Sequence, residues 1–410
     1  MRLTRIVSLV LLLLVAACSQ TAKPSFSVKR STIDAVSEKT ESKVRIVRPE
    51  VRDIDLPELY PFRPINKKDF FQLKIQDKAI NDLSTTKDGL TVYTAGEDGT
   101  IREVTVSANR KEAHSRILLK SSEPFYSISL SPDSNYLAVA QNSLVVIYDL
   151  SEDAILHSLS RIAGGIRTVE WDPLREFVSL GRENGDVYVW NLTRGVDAGA
   201  DSSKALELYR EVPSAVEKII FHPKGRSFFS VHQNGQTILW RLIRTEYEMG
   251  LRERDAKVDE ESVGKAFRKA LATGGRNNDA WLDYSGKFLF VATSQSAVYR
   301  LKVRGLQLVA TLKHKENKQS ALSGVELEGD RGFVASVGHD KRIHFWCFSP
   351  TAQHEIAVSP YFADSFTRIV SNQHSTLLWA AQKSGNLLGF DTEKFEDNKE
   401  LLSLVDKECP

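Results

Sequence analysis

Short apolar stretches alternate with polar turn sequences along most of this chain. From Asp69 onward, runs rich in Val, Ile, Leu, Phe and Tyr are separated by segments that contain Pro, Asp, Asn or Gly. Helical periodicity is almost absent from this region. Short apolar runs bounded by turn residues are typical of β-strands. The pattern therefore predicts an all-β body and leaves open a sandwich, a barrel or a propeller.

A repeated unit selects among these architectures. Each unit has an apolar run, a turn, a second run, a tight turn, and a third run with a large apolar residue near its end. The equivalent third-run residues are Val104, Tyr148, Trp190, Trp240, Leu301, Trp346 and Phe390. Their intervals are 44, 42, 50, 61, 45 and 44 residues. Most of these are close to the roughly 40–45 residues of a four-stranded propeller blade, so the repeat predicts a seven-bladed β-propeller.

The tight turns and third runs also resemble a known family. The strongest copies are TVYTAGEDGTIREV at residues 91–104 and FVASVGHDKRIHFW at residues 333–346. These segments resemble the WD-repeat family, and the resemblance covers about residues 70–405. The Gly-His pair that usually opens each repeat is not evident, and no copy ends in Trp-Asp, Tyr148-Asp149 being the nearest. We therefore expect a WD-repeat-like propeller with an incomplete polar network of His and Asp inside its blades.

Two segments depart from the regular repeat. Residues 70–75 alternate as an outer strand would, and we expect them to join the last blade, with residues 401–405 as a competitor for that edge. The longest interval indicates an insertion at about residues 242–277. Apolar residues at helical spacing predict a short amphipathic helix there, packed on the propeller or bound to a partner: Val263, Ala266, Phe267, Ala270 and Leu271.

The amino terminus has the features of an export signal. Two arginines precede an apolar run at residues 6–15, which is about half of the roughly 20 residues that a membrane-spanning helix needs. Val15-Ala16-Ala17-Cys18 follows, and this motif resembles the bacterial lipobox, which implies cleavage before Cys18 and acylation of Cys18. A signal peptide cut near Ala17 without acylation is the alternative. Ser19 after the cysteine points to the outer membrane.

These features divide the chain into three parts. We expect a lipoprotein signal peptide at residues 1–17, the acylated Cys18 with a polar tether at residues 18–66, and the propeller at residues 67–410. The tether is rich in Ser, Thr, Lys and Glu and has too few large apolar residues to fold alone. Its apolar, proline-containing part at residues 56–64 is suited to docking on its own domain.

Composition and motifs argue against several function classes. The chain has 55 Lys and Arg against 53 Asp and Glu, and loss of Arg2 and Arg5 with the leader would make these counts equal, so charge does not indicate a nucleic-acid partner. No phosphate-binding loop, dinucleotide glycine motif, zinc-protease histidine pair or nucleophile elbow occurs at its required spacing. We expect no catalytic residues, no metal and no cofactor.

Several polar residues at repeat-equivalent turns are expected to be structural. The histidines among them are His222, His232 and His339. Short polar side chains that cap their own turn are expected before the third strands, at Asp98, Asn184, Asn234 and Asp340. Once Cys18 is acylated, two cysteines are left. Cys347 is expected to be a buried thiol, with a disulfide to Cys409 as the alternative.

The resemblance also implies a binding face. WD-repeat propellers commonly bind proteins or peptides where their first strands begin and the turns before their third strands converge. Matching the copies gives the principal candidates for protein binding: Asn81, Tyr126, Arg167, Glu183, Glu217, Asn278 and His339. The remaining rim positions are Glu97, Gln141, Gln233, Ser323, Thr367 and Lys383.

These inferences combine into one expected function. The chain is expected to be a monomeric, noncatalytic propeller, anchored by acyl chains to the bacterial outer membrane and facing the periplasm. It would serve as an interaction platform for envelope proteins or peptides, without nucleic acid. An enzyme or small-ligand sensor with its site in the central channel is the alternative. A purely structural spacer is a third possibility.

Overall fold

The computed structural model describes residues 34–35, 41–47, 51–52, 70–160, 162, 164–192, 206–242, 266–269, 273–295, 297–313, 321–326, 333–348, 353–372 and 375–392. All of them belong to the unit Ile33–Pro410. Within these ranges the chain forms strands, turns and bends but no helix, so the structure is all-β. In the described residues no helix is long and apolar enough to cross a membrane.

Four strands precede the repeats: β1 (Asp34–Ala35), β2 (Ser42–Val44), β3 (Val51–Arg52) and β4 (Phe70–Lys74). Blade 1 contains β5 (Ile80–Thr85), β6 (Thr91–Gly96), β7 (Thr100–Val106) and β8 (Ala113–Lys120). Blade 2 contains β9 (Ser127–Leu130), β10 (Tyr136–Ala140), β11 (Val145–Asp149) and β12 (Ala154–Leu159). Blade 3 contains β13 (Ile166–Trp171), β14 (Phe177–Arg182), β15 (Val187–Asn191) and β16 (Leu206–Tyr209).

Blade 4 contains β17 (Val216–Phe221), β18 (Ser227–His232), β19 (Thr237–Arg241) and β20 (Ala266–Lys269). Blade 5 contains β21 (Asn277–Leu282), β22 (Phe288–Thr293), β23 (Ala297–Lys302) and β24 (Gln307–Lys313). Blade 6 contains β25 (Ala321–Glu326), β26 (Phe333–Gly338), β27 (Ile343–Phe348) and β28 (Gln353–Val358). After β29 (Tyr361–Phe362), blade 7 contains β30 (Phe366–Val370), β31 (Leu377–Gln382), β32 (Asn386–Asp391) and the early strand β4.

The blades close into a ring. Consecutive strands within each blade pair antiparallel. The first strand of every blade packs against the first strands of both neighbouring blades, and β30 of blade 7 returns to β5 of blade 1. The prediction of a seven-bladed β-propeller is confirmed.

The equivalent third-strand residues occupy one structural position. Each pairs with the second residue of the preceding strand, as in Val178 opposite Trp190 and Phe228 opposite Trp240. All seven are at most 3% exposed, so they fill the space between neighbouring blades. In blades 4 and 6 the indole nitrogen of this residue donates to a serine of the second strand, Trp240 to Ser230 at 2.7 Å being one example.

Strand β4 closes the ring as predicted. It pairs with β32, so blade 7 combines residues from both sides of the repeat region in one sheet. Phe70 packs against Phe390, with ring centroids 4.7 Å apart, and Phe71 lies over Gly389, where an added Cβ would come within 2.1 Å of its ring. Residues 401–405, the competing segment, lie outside the described residues.

The prediction of a helix in the insertion is wrong for the residues of that segment that the structure describes. Ala266 and Phe267 belong to β20, which pairs with β19 and forms the outer strand of blade 4. A helix at these residues would leave the backbone groups along the edge of β19 without partners. Strand β20 pairs with them, so tertiary context outweighs the helical spacing. Val263, Ala270 and Leu271 lie outside the described residues.

Parts of the expected tether form strands on the outside of the propeller. β1 and β2 both pair with β8, the outer strand of blade 1. Val47 bridges to Gln72 of β4, and β3 pairs with β29. Val44 and Ile46 pack on the core cluster that contains Leu73. Residues 56–64 and Cys18 lie outside the described residues.

Candidate functional site

The first strands of six blades share an irregularity near their amino-terminal ends. The register with the second strand shifts there, and one residue between two paired residues drops out of the ladder. The skipped residues are Asn81, Arg167, Glu217, Asn278, Leu322 and Thr367. A β-bulge of this kind redirects a side chain out of the regular alternation. In the five of these blades other than blade 6, the bulge thus places a polar residue at the mouth of the central channel.

A cavity of about 480 Å³, which we call the mouth cavity, lies at this end of the channel. All seven blades contribute to its wall. The lining residues are Asn81, Tyr126, Asn142, Ile166, Arg167, Glu183, Glu217, Arg276, Asn278, His339, Phe366, Thr367, Arg368 and Lys383. The structure therefore brings together all seven principal candidates from the sequence. Their role in binding a protein stays a prediction.

One side of the mouth cavity is an arginine and glutamate cluster. Arg167 reaches Glu183 of the neighbouring tight turn at 3.3 Å and Glu217 of blade 4 at 3.4 Å. Arg276 of blade 5 also reaches Glu217, at 3.3 Å, and Gln233 donates to the same carboxylate at 2.8 Å. The Glu217 side chain is only 7% exposed, whereas that of Glu183 is 64% exposed. Glu217 is thus a buried carboxylate that holds both arginines, and Glu183 is an exposed carboxylate that contacts Arg167.

The other side, formed by blades 6 and 7, carries His339 and Lys383. Burial lowers the pKa of His339, and the positive charge of Lys383 lowers it further. The imidazole is therefore neutral near pH 7, and Lys383 adds a positive charge on this side. Lys383 is exposed, and the part of the chain that the structure describes contains no ion pair to it.

Blades 1 and 2 add hydrogen-bonding and aromatic groups. Asn81 Nδ2 donates to the carbonyl oxygen of Phe125 at 2.8 Å, and this bond joins blade 1 to the start of blade 2. Tyr126, the next residue, is 42% exposed, the side chain of this wall with the largest exposed aromatic surface. Thr367 Oγ1 donates to the carbonyl oxygen of Ile80 at 2.5 Å and joins blade 7 to blade 1. Hydrogen bonds between blades therefore hold the rim of the mouth cavity together, and the rim carries one exposed aromatic ring.

Below the mouth, the channel contains charged residues that sequence reasoning missed. They come from the middle of the first strands: Asp82, Glu170, Lys218, Asp279 and Arg368. Lys218 Nζ lies 3.1 Å from Glu170 Oε2, and Arg368 Nε lies 3.8 Å from Asp82 Oδ1. Burial raises the pKa of Glu170, although the charge of Lys218 opposes this shift. We call these five residues the channel floor.

The two aspartates of the channel floor are held by serines of the next blade. Ser127 Oγ donates to Asp82 Oδ2 at 2.7 Å, and Ser323 Oγ donates to Asp279 Oδ2 at 2.5 Å. In four blades the residue directly after the bulged one belongs to this layer: Asp82, Lys218, Asp279 and Arg368. The repeat alignment was therefore a usable signal, because it places Asp, Lys and Arg at equivalent positions of different blades. In the described residues, no group of three or more His, Cys, Asp or Glu side chains is arranged so that it could hold a metal ion.

Two of the additional rim positions have buried side chains. Ser323 is fully buried in the bond to Asp279, because the bulge of blade 6 skips the residue before it. Gln141 is also buried, and its Nε2 donates to the carbonyl oxygen of Glu123 at 3.0 Å. Neither of these two side chains lines the mouth cavity, although both positions were expected near the rim. Glu97 is exposed, and Gln233 is half-buried beside Glu217.

The polar turn residues have the predicted structural role. Asp98, Asn184, Asn234 and Asp340 each accept a hydrogen bond from the backbone nitrogen two residues ahead. His222 Nδ1 accepts from the backbone nitrogen of Lys224 at 3.2 Å, and His232 is buried between Ser230 and the carbonyl oxygen of Ser214. Cys347 lies in β27, and Cys409 lies outside the described residues, so their pairing stays a prediction.

Comparisons with known proteins agree with this fold. The WD40 β-propeller domain of Doa1, a crystal structure, superimposes with a TM-score of 0.61 over 79% of this chain and 96% of that domain, at 12% identity. The fold is that of a WD40 propeller. The Protein LST8 homolog of Drosophila melanogaster is 22% identical over 168 residues, 40% of this chain. This match spans about half of that protein's length. No protein-family model matches the chain.

Proposed function

We propose that this chain is a noncatalytic interaction platform that binds a protein or peptide partner at the mouth cavity. WD40 propellers generally act as protein-interaction scaffolds. The observation that supports the proposal most is the convergence of polar side chains from seven blades on one cavity with an exposed tyrosine and arginines. Tyrosine and arginine are the residue types that most often dominate protein interfaces.

The geometry favours a rigid mode of binding. Neighbouring blades are joined at the rim by hydrogen bonds and ion pairs, as in the contacts of Asn81, Thr367 and Arg167. Side chains that are already ordered lose little conformational entropy when a partner binds. An enzyme in the channel is the less supported function, because the floor aspartates are occupied by serine hydroxyls.

The first test removes the two residues with hot-spot chemistry. We expect Tyr126→Ala combined with Arg167→Ala to reduce capture of the partner about tenfold or more in crosslinking and affinity purification from the native cells. The thermal unfolding midpoint should stay nearly unchanged, because both side chains are partly exposed and Glu217 keeps Arg276 and Gln233.

A matched control exists on the opposite face. Leu174 and Arg226 lie in turns between first and second strands, and both are exposed. Leu174→Ala combined with Arg226→Ala removes one large apolar and one basic side chain but leaves the mouth cavity intact. Equal loss of capture in both double variants would contradict the proposed site, and a large loss of stability in the first would show that its residues are structural.

We further propose that the chain is anchored to the bacterial outer membrane through acyl chains on Cys18 and faces the periplasm, as a monomer bound to envelope proteins. The support is the sequence Val15-Ala16-Ala17-Cys18 after a short apolar run. Several acyl chains on one protein anchor it stably, at about 0.8 kcal/mol per buried methylene.

Substitution of the cysteine tests this anchoring. Cys18→Ser should move the protein from the membrane fraction to the soluble fraction and abolish incorporation of a labelled fatty acid. Ser19→Ala, which retains the cysteine, should keep both properties. Membrane attachment of Cys18→Ser together with an unlabelled wild-type protein would overturn the lipoprotein proposal.

A further inference from the structure

The mouth cavity carries more basic than acidic side chains. Its basic residues are Arg167, Arg276, Arg368 and Lys383. Its carboxylates are Glu183 and Glu217. His339 adds no charge near pH 7, because burial lowers its pKa. The formal charge of the lining is therefore positive.

Aspartates of the channel floor compensate part of this positive charge. Arg368 lies 3.8 Å from Asp82, and the other carboxylate of the channel floor that acts on it most is Asp279. Arg368 is therefore balanced within the fold. The charge available to a ligand comes from the residues above it at the mouth.

On the side of blades 3 to 5, two guanidinium groups share one buried carboxylate. Arg167 and Arg276 both contact Glu217, which cannot neutralise two cations. The Arg276 side chain is 53% exposed, so a ligand can reach it. This guanidinium pair has capacity for a further acceptor.

Glu183 offsets part of the charge of this pair from the rim. Its side chain is 64% exposed and its contact with Arg167 is 3.3 Å long. Exposed ion pairs of this kind contribute little and exchange readily with solvent. A ligand carboxylate can therefore replace Glu183 on Arg167 at small cost. Across the cavity, Lys383 is exposed and has no ion-pair partner within the described ranges.

We propose that the mouth cavity takes an acidic segment of the partner, with one carboxylate on the Arg167–Arg276 pair and a second on Lys383. This inference rests on the proposed function and adds the chemistry of its partner. Blades 3 and 7 stand on different sides of the ring, so the segment must present acidic groups at two separated positions. An acidic ligand also gains from longer-range attraction, which salt weakens.

The test measures binding of a labelled glutamate-rich peptide by fluorescence polarisation. Its matched controls are the same peptide with glutamine, and with lysine, at each glutamate position. Wild-type protein should bind the acidic peptide about fivefold or more tightly than the glutamine peptide, and the difference should shrink as salt rises from about 50 to about 300 mM. Equal affinity for the three peptides would overturn the inference.

Three variants locate the binding. Lys383→Glu should weaken binding of the acidic peptide about fivefold or more, and Glu183→Gln should strengthen it about twofold or more. Lys224→Glu makes the same charge change as the first variant at an exposed lysine on the opposite face, and it should leave the affinity unchanged. Equal effects of Lys383→Glu and Lys224→Glu would contradict binding at the mouth cavity.

Capture of the natural partner separates this inference from the proposed function. A photo-crosslinking phenylalanine derivative at position 126, which keeps an aromatic ring there, identifies the partner segment that lies at the mouth. A captured segment that is neutral or basic would overturn the acidic ligand while the proposed function holds. Failure to capture any partner at this position would overturn the proposed function itself.

Discussion

At the scale of single residues, the bulges decide which side chains reach the mouth cavity. The sequence alignment placed Arg167 and Glu217 correctly, because each blade begins its first strand at an equivalent position. It placed Ser323 one residue too far, because no feature of the sequence marks which of three consecutive residues leaves the ladder. The sequence also did not predict contacts between blades. Arg276 and Arg167 both contact Glu217, although they are 59 and 50 residues away from it in the chain.

The charge state of a buried histidine in blade 6 also depends on contacts that the sequence did not predict. His344 is enclosed between two carboxylates: its Nε2 lies 2.5 Å from Asp340 Oδ2, and its Nδ1 contacts Glu355. Burial alone would lower the pKa of His344, but the hydrogen bonds and charges of Asp340 and Glu355 outweigh burial and raise the pKa to about 9. The imidazolium form is therefore the native one near pH 7.

This pKa predicts a specific pH dependence of stability. Because the folded-state pKa lies above the usual value near 6.5, the stabilisation is complete below about pH 6.5 and is lost as the pH rises through about 9. We expect His344→Gln to lower the free energy of unfolding by on the order of 1–3 kcal/mol at pH 7 and to flatten its decline between pH 7 and 10. Urea unfolding at several pH values measures both effects.

A second buried histidine serves as the control. Burial lowers the pKa of His232, so this side chain is neutral throughout the same pH range. His232→Gln should leave the slope of stability against pH equal to that of the wild-type protein. An unchanged slope in His344→Gln would show that the carboxylates do not hold a proton on His344.

At the scale of elements, outer strands were the hardest to predict. The closing strand β4 was predictable because its apolar residues alternate in a stretch that lies before the first repeat. Strand β20 was mistaken for part of a helix, because Ala266 and Phe267 fit helical spacing with their neighbours in the sequence. The pairing of β1 and β2 with β8 had no signal in the polar tether, since the open edge of blade 1 supplies the partner.

The closing strand yields a prediction about stability. Leu73 of β4 is fully buried in the cluster that joins blades 7 and 1. Leu73→Ala should lower the free energy of unfolding by about 2–5 kcal/mol, because it removes buried apolar surface and leaves a cavity at the ring closure. Leu208, on the outer strand of blade 3, is 41% exposed, and Leu208→Ala should cost less than about 1 kcal/mol. Equal effects in denaturant titrations would contradict the closure by β4.

At the scale of the whole molecule, the repeat carried the prediction of the fold. Each blade alone exposes two apolar faces, so a ring in which every blade buries both faces is the stable arrangement for a sequence with seven similar units. The partner, in contrast, is a property of side chains on one face and of another molecule. The repeat pattern therefore predicts where a partner binds better than which partner binds.

Site-specific crosslinking in the cells that produce the protein tests binding at the mouth cavity directly. A photoreactive phenylalanine derivative, which keeps an aromatic ring, is placed at position 126 in the wall of the mouth cavity or at position 174 on the opposite face. Binding at the mouth cavity should give a discrete adduct with one partner from position 126, its loss on Arg167→Ala, and no equivalent adduct from position 174. The absence of an adduct at position 126, or the same adducts from both faces, would contradict the mouth cavity as the binding site.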